Sequence, residues 1–247
     1  FILYCEDILG SYERQMEVIK EETMEMKEKY GDARRTAIVP DEGEFNPEDF
    51  YADEDVVITI SHLGYIKRTA LSEYRTQARG GKGMKGSATR EEDFIEHIYV
   101  ANMHSTMLFF TQNGKCYRLK VYEIPEGTRA SKGRPVQNVI SIEPGDIIKT
   151  YVNAKSIESE EYCNSHFVLL ATRKGIVKKT ALSEYSNRRS RNKGINAITV
   201  REGDELLDAI LTTGDSQVLL AARNGRCVRF DEEDARPLGR AASGVRG

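Results

Sequence analysis

Four glycine pairs at one spacing constrain this chain more than any other feature. Gly64/Gly83, Gly114/Gly133, Gly175/Gly194 and Gly225/Gly244 each lie 19 residues apart. An apolar run precedes the first glycine of every pair, at 56–60, 107–110, 167–170 and 218–221. A second β-rich run follows it, beginning Tyr65-Ile66-Lys67-Arg68, Lys115-Cys116-Tyr117-Arg118, Ile176-Val177-Lys178-Lys179 and Arg226-Cys227-Val228-Arg229. Two such runs about a glycine read as a β-hairpin, because glycine reaches the positive φ that a tight turn needs. The first glycines step by 50, 61 and 50 residues, so the middle step holds 11 extra residues, expected as a surface insertion around 156–166. One stretch recurs literally: Thr-Ala-Leu-Ser-Glu-Tyr at 69–74 and again at 180–185. A β-repeat of about 50 residues with several short strands has the size of a propeller blade.

The expected fold is therefore all-β: a propeller or pinwheel of four-stranded antiparallel blades near 56–105, 106–155, 164–214 and 215–247, the last incomplete. Three blades and a fragment cannot close a ring, so a longer parent protein is expected. The repeat also accounts for two cysteines. Cys116 and Cys227 stand two residues after the turn glycine, where the other repeats have Ile66 and Val177, so both are expected to be buried.

A different pattern occupies the start. Cys5, Ile8, Tyr12, Met16, Ile19, Thr23, Met26 and Tyr30 recur in steps of three and four, which predicts one long N-terminal α-helix over 1–30 with Gly31 as its stop. Residues 39–55, with Pro40, Gly43 and Pro47, read as an acidic linker. Charge divides the same way. Residues 1–55 hold 6 Lys+Arg and 17 Asp+Glu, a net −11, while 56–247 hold 30 and 22, a net +8. The repeats suit a polyanion and the leading segment does not.

Several classes are excluded. No apolar run approaches the roughly 18 residues of a membrane helix, and no signal peptide is visible. Cys5, Cys116, Cys163 and Cys227 form no Cys-x-x-Cys pair, which predicts reduced thiols in a cytoplasmic protein. His62, His97, His104 and His166 occupy unrelated repeat positions without zinc-ligand spacing. No catalytic constellation and no metal site is expected.

The densest chemical signal is Gln77-Ala78-Arg79-Gly80-Gly81-Lys82-Gly83-Met84-Lys85-Gly86. Gly81, Gly83 and Gly86 satisfy G-x-G-x-x-G, but no helix pattern follows to hold a pyrophosphate, and the Gly-Lys-Ser/Thr ending of a phosphate loop is absent. The stretch reads instead as a basic loop whose glycines let backbone approach a phosphate. Matching loops of later repeats hold Arg129, Lys132 and Arg134; Arg188, Arg189, Arg191 and Lys193; and Arg236, Arg240 and Arg246. Successive blades would set these along one perimeter track that follows a nucleic-acid backbone. Lys67, Arg68, Arg118, Lys120, Lys178, Lys179, Arg226 and Arg229, on the strands after the turns, either face that edge or are solvated strand faces.

These blades and this loop resemble the family of C-terminal domains of the DNA gyrase A subunit. The seven-residue box of that family reads Gln-Arg-Arg-Gly-Gly-Lys-Gly; residues 77–83 differ from it only at Ala78, which removes one basic side chain. Lys29-Tyr30-Gly31-Asp32-Ala33-Arg34-Arg35-Thr36 resembles the end of the coiled-coil arm of the breakage–reunion region, which assigns 1–38 to that arm. The resemblance implies a six-bladed ring with strands exchanged between neighbouring blades and double-stranded DNA wrapped on its outer edge. It further implies partnership with the gyrase B subunit, plus a second A subunit, in an ATP-dependent type II topoisomerase that introduces negative supercoils. ATP and Mg2+ would act elsewhere in that enzyme, leaving no cofactor and no catalytic residue in this chain. The alternatives are the A subunit of topoisomerase IV, a propeller that binds proteins, and a dinucleotide enzyme using Gly81, Gly83 and Gly86.

Overall fold

The computed structural model describes residues 1–37, 46–74, 79–80, 89, 92–186 and 193–247. They fall into two units, Phe1–Phe45 and Asn46–Gly247. In the first, the expected single helix is two: α1 (Ile2–Gly10) and α2 (Tyr12–Tyr30). The break lies at Gly10-Ser11. Ser11 is extended (φ −133°, ψ 120°), and its hydroxyl accepts from Arg14 N at 3.4 Å, so it caps α2 rather than continuing α1.

The second unit holds β1 (Asp55–Ser61), β2 (Tyr65–Ala70), β3 (Ile95–Asn102), β4 (Thr106–Thr111), β5 (Lys115–Lys120), β6 (Arg134–Pro135) and β7 (Ile148–Ala154). A short helix, α3 (Glu160–Ser165), then precedes β8 (Phe167–Thr172), β9 (Ile176–Ala181), β10 (Ile195–Asn196), β11 (Leu206–Thr212), β12 (Gln217–Ala221), β13 (Cys227–Asp231) and β14 (Val245–Arg246). Three sheets are four-stranded, in the orders β3-β1-β2-β6, β10-β5-β4-β7 and β11-β8-β9-β14; β12 and β13 form a two-stranded hairpin. All pairings between strands are antiparallel. This is the expected all-β architecture of repeated blades. The outer strands β6, β10 and β14 each come from the repeat after the one whose sheet they complete, so blades exchange strands as the resemblance implies.

Both glycines of a pair have geometric work. Gly175, in the turn between β8 and β9, adopts φ +78°. Gly133 adopts φ +79° where the second repeat's chain enters the first blade; a Cβ there would lie 2.7 Å from the carbonyl oxygen of Ile66. At Gly114/Gly133, Gly175/Gly194 and Gly225/Gly244 the spacing of 19 thus measures one path: out of a hairpin, along a strand, round a loop and onto the neighbouring blade. Hairpin tips share a further device. Asp93, Asp146 and Asp204 accept from the turn amides of Leu63 (3.1 Å), Asn113 (3.2 Å) and Lys174 (2.9 Å).

Core residues alternate along strands buried on both faces. Met107 and Phe109 of β4 pack with Val56, Ile58 and Ile60 of the first blade. Their neighbours Leu108 and Phe110 pack with Val168 and Leu170 of the third. Period-2 alternation into two cores explains why 107–110 reads as an unbroken apolar run. Two expectations fail here. The 156–166 insertion is not confined to the surface: Ile157 and Cys163 are buried in the second core. Cys227 is exposed although Cys116 is buried. Ile66, Cys116 and Val177 each face an incoming strand residue (Arg134, Ile195 and Val245), whereas among the described residues β13 pairs with β12 alone.

Candidate nucleic-acid interface

In the second, third and fourth repeats the chain leaves the second hairpin strand through a short 3-10 turn and later supplies a strand, β6, β10 or β14, to the preceding blade. Within the basic box only Arg79 and Gly80 are among the described residues, and both are exposed; Gln77, Ala78, Gly81, Lys82 and Gly83 lie outside them, as do Lys85, Arg188, Arg189 and Arg191. In the second repeat's loop Lys132 and Arg134 are exposed and Arg129 is half-buried. The third contributes exposed Lys193. The fourth contributes exposed Arg236 and Arg246, with Arg240 half-buried against Glu184, Nε to Oε2 at 3.2 Å.

The strand cations behave differently, and neither sequence expectation holds for most of them. Lys67 and Lys178 are enclosed, at 1% and 0% exposure. Lys67 Nζ donates to the carbonyls of Thr128, Arg129 and Ser131 at 2.9, 3.1 and 2.9 Å. Lys178 Nζ donates to Ala197 and Arg240 at 2.6 and 2.7 Å. Burial, then the nearby Arg240 guanidinium, lowers the Lys178 pKa to about 8; burial also lowers that of Lys67. Lys179 faces buried Glu232 at 3.1 Å and lies 4.4 Å from the centroid of the Phe167 ring.

The remaining strand cations also have local partners, apart from two. Arg68 donates to Ile124 O at 2.8 Å and meets Glu126 at 3.0 Å. Arg118 donates to Ser186 O and meets Glu158 at 3.0 Å. Lys120 pairs with Glu48 and Glu158. These groups join one repeat to the next and present no free cation to a ligand. Arg226 and Arg229, on the last hairpin, are exposed.

Among the described residues, exposed cations thus recur on the inter-blade loops, and others stand at Lys155, Arg173, Lys174 and Arg201. Such exposed cations attract a polyanion by charge. Among the described residues no group of three or more His, Cys, Asp or Glu could hold a metal ion. Burial raises the thiol pKa of Cys116 and Cys163, so neither is a poised thiolate. No helix of the described residues is long and apolar enough to cross a membrane. Sequence reasoning missed Glu73 and Glu184, which hold Arg129 and Arg240. The signal for them was present, since both lie at the same place in the literally repeated hexapeptide.

Strand-exchanged antiparallel blades with basic connecting loops define a β-propeller-type domain. The chain belongs to the DNA gyrase C-terminal domain family, described as a beta-propeller, with matches at residues 55–102, 105–150, 166–213 and 216–247. It is similar to the DNA gyrase A subunit of Halalkalibacterium halodurans, 46% identical over 240 residues, 97% of this chain and 28% of the relative. It is similar to the same subunit of Mycolicibacterium smegmatis, 45% over 244 residues, covering 98% and 28%. The chain thus spans little more than a quarter of these relatives. Among solved structures, the C-terminal domain of DNA topoisomerase IV aligns with TM-score 0.64 at 29% identity, covering 79% of this chain and 57% of that one. A DNA gyrase A C-terminal domain aligns at 0.61 with 23% identity, covering 78% and 60%, a likeness of fold.

Proposed function

We propose that this chain binds double-stranded DNA through its loop cations and wraps it round the outer edge of the blades, without reading sequence. The observation that carries this reading is the recurrence of exposed cations after the hairpin of successive repeats, on loops at Arg79, Lys132, Lys193 and Arg236 and on the strands that follow at Arg134 and Arg246. Bending duplex over a site of 20–30 base pairs costs on the order of 1–6 kcal/mol. Contacts spread over several blades offset that cost where a single patch would not. In the parent enzyme, a cytoplasmic ATP-dependent type II topoisomerase, the wrap would present one DNA segment to another cleaved by a second region, and so support negative supercoiling. The gyrase B subunit, together with a second A subunit, would complete that assembly, with ATP and Mg2+ acting outside this chain.

The box at 77–83 is assigned the first contact of the wrap, because in sequence it follows the first hairpin of the first repeat. Topoisomerase IV is the nearest competing reading. Six of seven box residues, and relatives at 44–46% identity that are gyrase A subunits by name, favour gyrase.

Two measurements test the proposal. Affinity for duplex DNA should fall steeply with salt, with a slope of about −0.9 in log K against log salt for each phosphate neutralised, and should differ little between sequences. A flat salt response would leave a protein-binding scaffold as the better reading. In the full-length enzyme, replacing Arg79, Gly81 and Lys82 with Ala should abolish negative supercoiling while relaxation and cleavage persist. Normal supercoiling by that variant would remove the box from the mechanism.

A further inference from the structure

Lys67 and Lys178 stand three residues after the turn glycines of the first and third repeats. Each reaches out of its own blade and donates to the main-chain carbonyl of an arginine in the following repeat, Arg129 or Arg240. Those arginines are equivalent, each 15 residues after its own turn glycine. Glu73 and Glu184, also equivalent, hold the same arginines from the other side. Glu73 Oε2 accepts from Arg129 N at 3.3 Å, and Glu184 Oε2 accepts from Arg240 Nε at 3.2 Å. Neighbouring main chain repeats too. Gly127 N donates to Arg68 O at 2.9 Å and Leu238 N to Lys179 O at 2.8 Å, beside the parallel bridges Arg68↔Glu126 and Lys179↔Pro237. The second repeat has Tyr117 in place of the lysine, and its equivalent glutamate, Glu123, accepts from Lys120 N within its own turn. The clamp and the hexapeptide of residues 69–74 and 180–185 are thus found in the same two repeats.

A buried ammonium is costly unless its donors are matched. At Lys67 three carbonyls of one loop converge on three donors. Such an arrangement fixes the loop's path and leaves the basic side chains on it, Lys132 and Arg134, outside. We propose that Lys67 with Glu73, and Lys178 with Glu184, are positioning residues that clamp the basic loops of the following repeats in the conformation that meets DNA. This rests on the DNA-binding reading above. The lysines touch no DNA themselves; preorganising the loops spares the entropy that ordering them on binding would cost.

The test measures the salt dependence of duplex DNA binding by this chain. Lys132→Ala, the loss of one exposed cation, should reduce the slope by about 0.9. Lys67→Met should reduce it by roughly two units, because the contacts of a whole loop lose register. Leu170→Ala, a core change in another blade, controls for lost stability and should leave the slope unchanged. Glu73→Ala sharpens the test, since Glu73 is exposed and its removal empties no buried site. Removing an acidic group should strengthen DNA binding on charge alone, whereas loss of the clamp should weaken it and lower the slope. Stronger binding by Glu73→Ala, or a slope change in Lys67→Met no larger than that of Lys132→Ala, overturns the clamp. Failure of the unaltered chain to bind DNA overturns the underlying reading instead.

Discussion

Glu232 carries no exposed surface, and its carboxylate meets the ammonium of Lys179 at 3.1 Å across the boundary between the third and fourth repeats. Thr212 Oγ1 donates to the same oxygen at 2.5 Å, and Ser216 N donates to the other at 3.3 Å. The equivalent positions in the second and third repeats hold Val121 and Leu182, both fully buried. A hydrophobic site has become half of an ion pair. Removing one partner strands a buried charge, so Lys179→Met should cost about 3–5 kcal/mol in urea unfolding. The double variant Lys179→Met/Glu232→Leu should recover most of that loss, as the other repeats suggest. A double variant no better than the single one would refute this account.

Gly133 and Gly175 have nearly the same φ but different surroundings. A Cβ on Gly175 meets nothing within 4 Å, while one on Gly133 meets the Ile66 carbonyl oxygen at 2.7 Å. Gly175→Ala should therefore cost only the left-handed backbone penalty, about 1–2 kcal/mol. Gly133→Ala should cost on the order of 1–3 kcal/mol more, because backbone must shift where two blades meet. Equal losses of stability would show that the second glycine serves φ alone.

Lys178 should impose a pH dependence of defined sign. Its folded pKa of about 8 lies below the ordinary value of 10.5, so between these limits the unfolded chain binds more protons. Stability contributed by Lys178 should rise as pH increases from about 8 to 10.5 and be flat below that window. The difference in unfolding free energy between the unaltered chain and Lys178→Met isolates this group. A difference that shrinks as pH rises would contradict the assignment.

Exposed and buried cations should separate in DNA binding. Lys132→Ala/Arg134→Ala should lower the salt slope by about 0.9 per residue with little change in stability. Arg118→Gln should do the reverse, because its guanidinium is engaged by Ser186 O and Glu158. It should lose about 1.5–3 kcal/mol of stability and keep its slope. The two sets of measurements, binding and unfolding, need only the purified chain.

Hairpins, blade size and the all-β class were legible because they depend on local periodicity and turn chemistry. Gly64, Gly114, Gly175 and Gly225 mark turns that no neighbour has to create. The break at Ser11 was legible too, as a serine after a glycine, but the apolar stripe across it masked the signal. The basic loops were visible as composition. Which cations remain free was not, since Lys67 and Lys132 are the same residue type with the same intrinsic charge.

Repeated glycines, alternating apolar runs and matching basic loops, all local properties, determined that this chain would form repeated blades carrying positive charge. Only the tertiary structure decided that Lys67, Lys178 and Lys179 are enclosed while Lys132 and Arg134 face water. The reason is that the burial of a strand residue depends on the strand laid beside it. Here that strand comes from the next repeat, more than 60 residues on, where Arg134 pairs with Ile66 and Val245 with Val177.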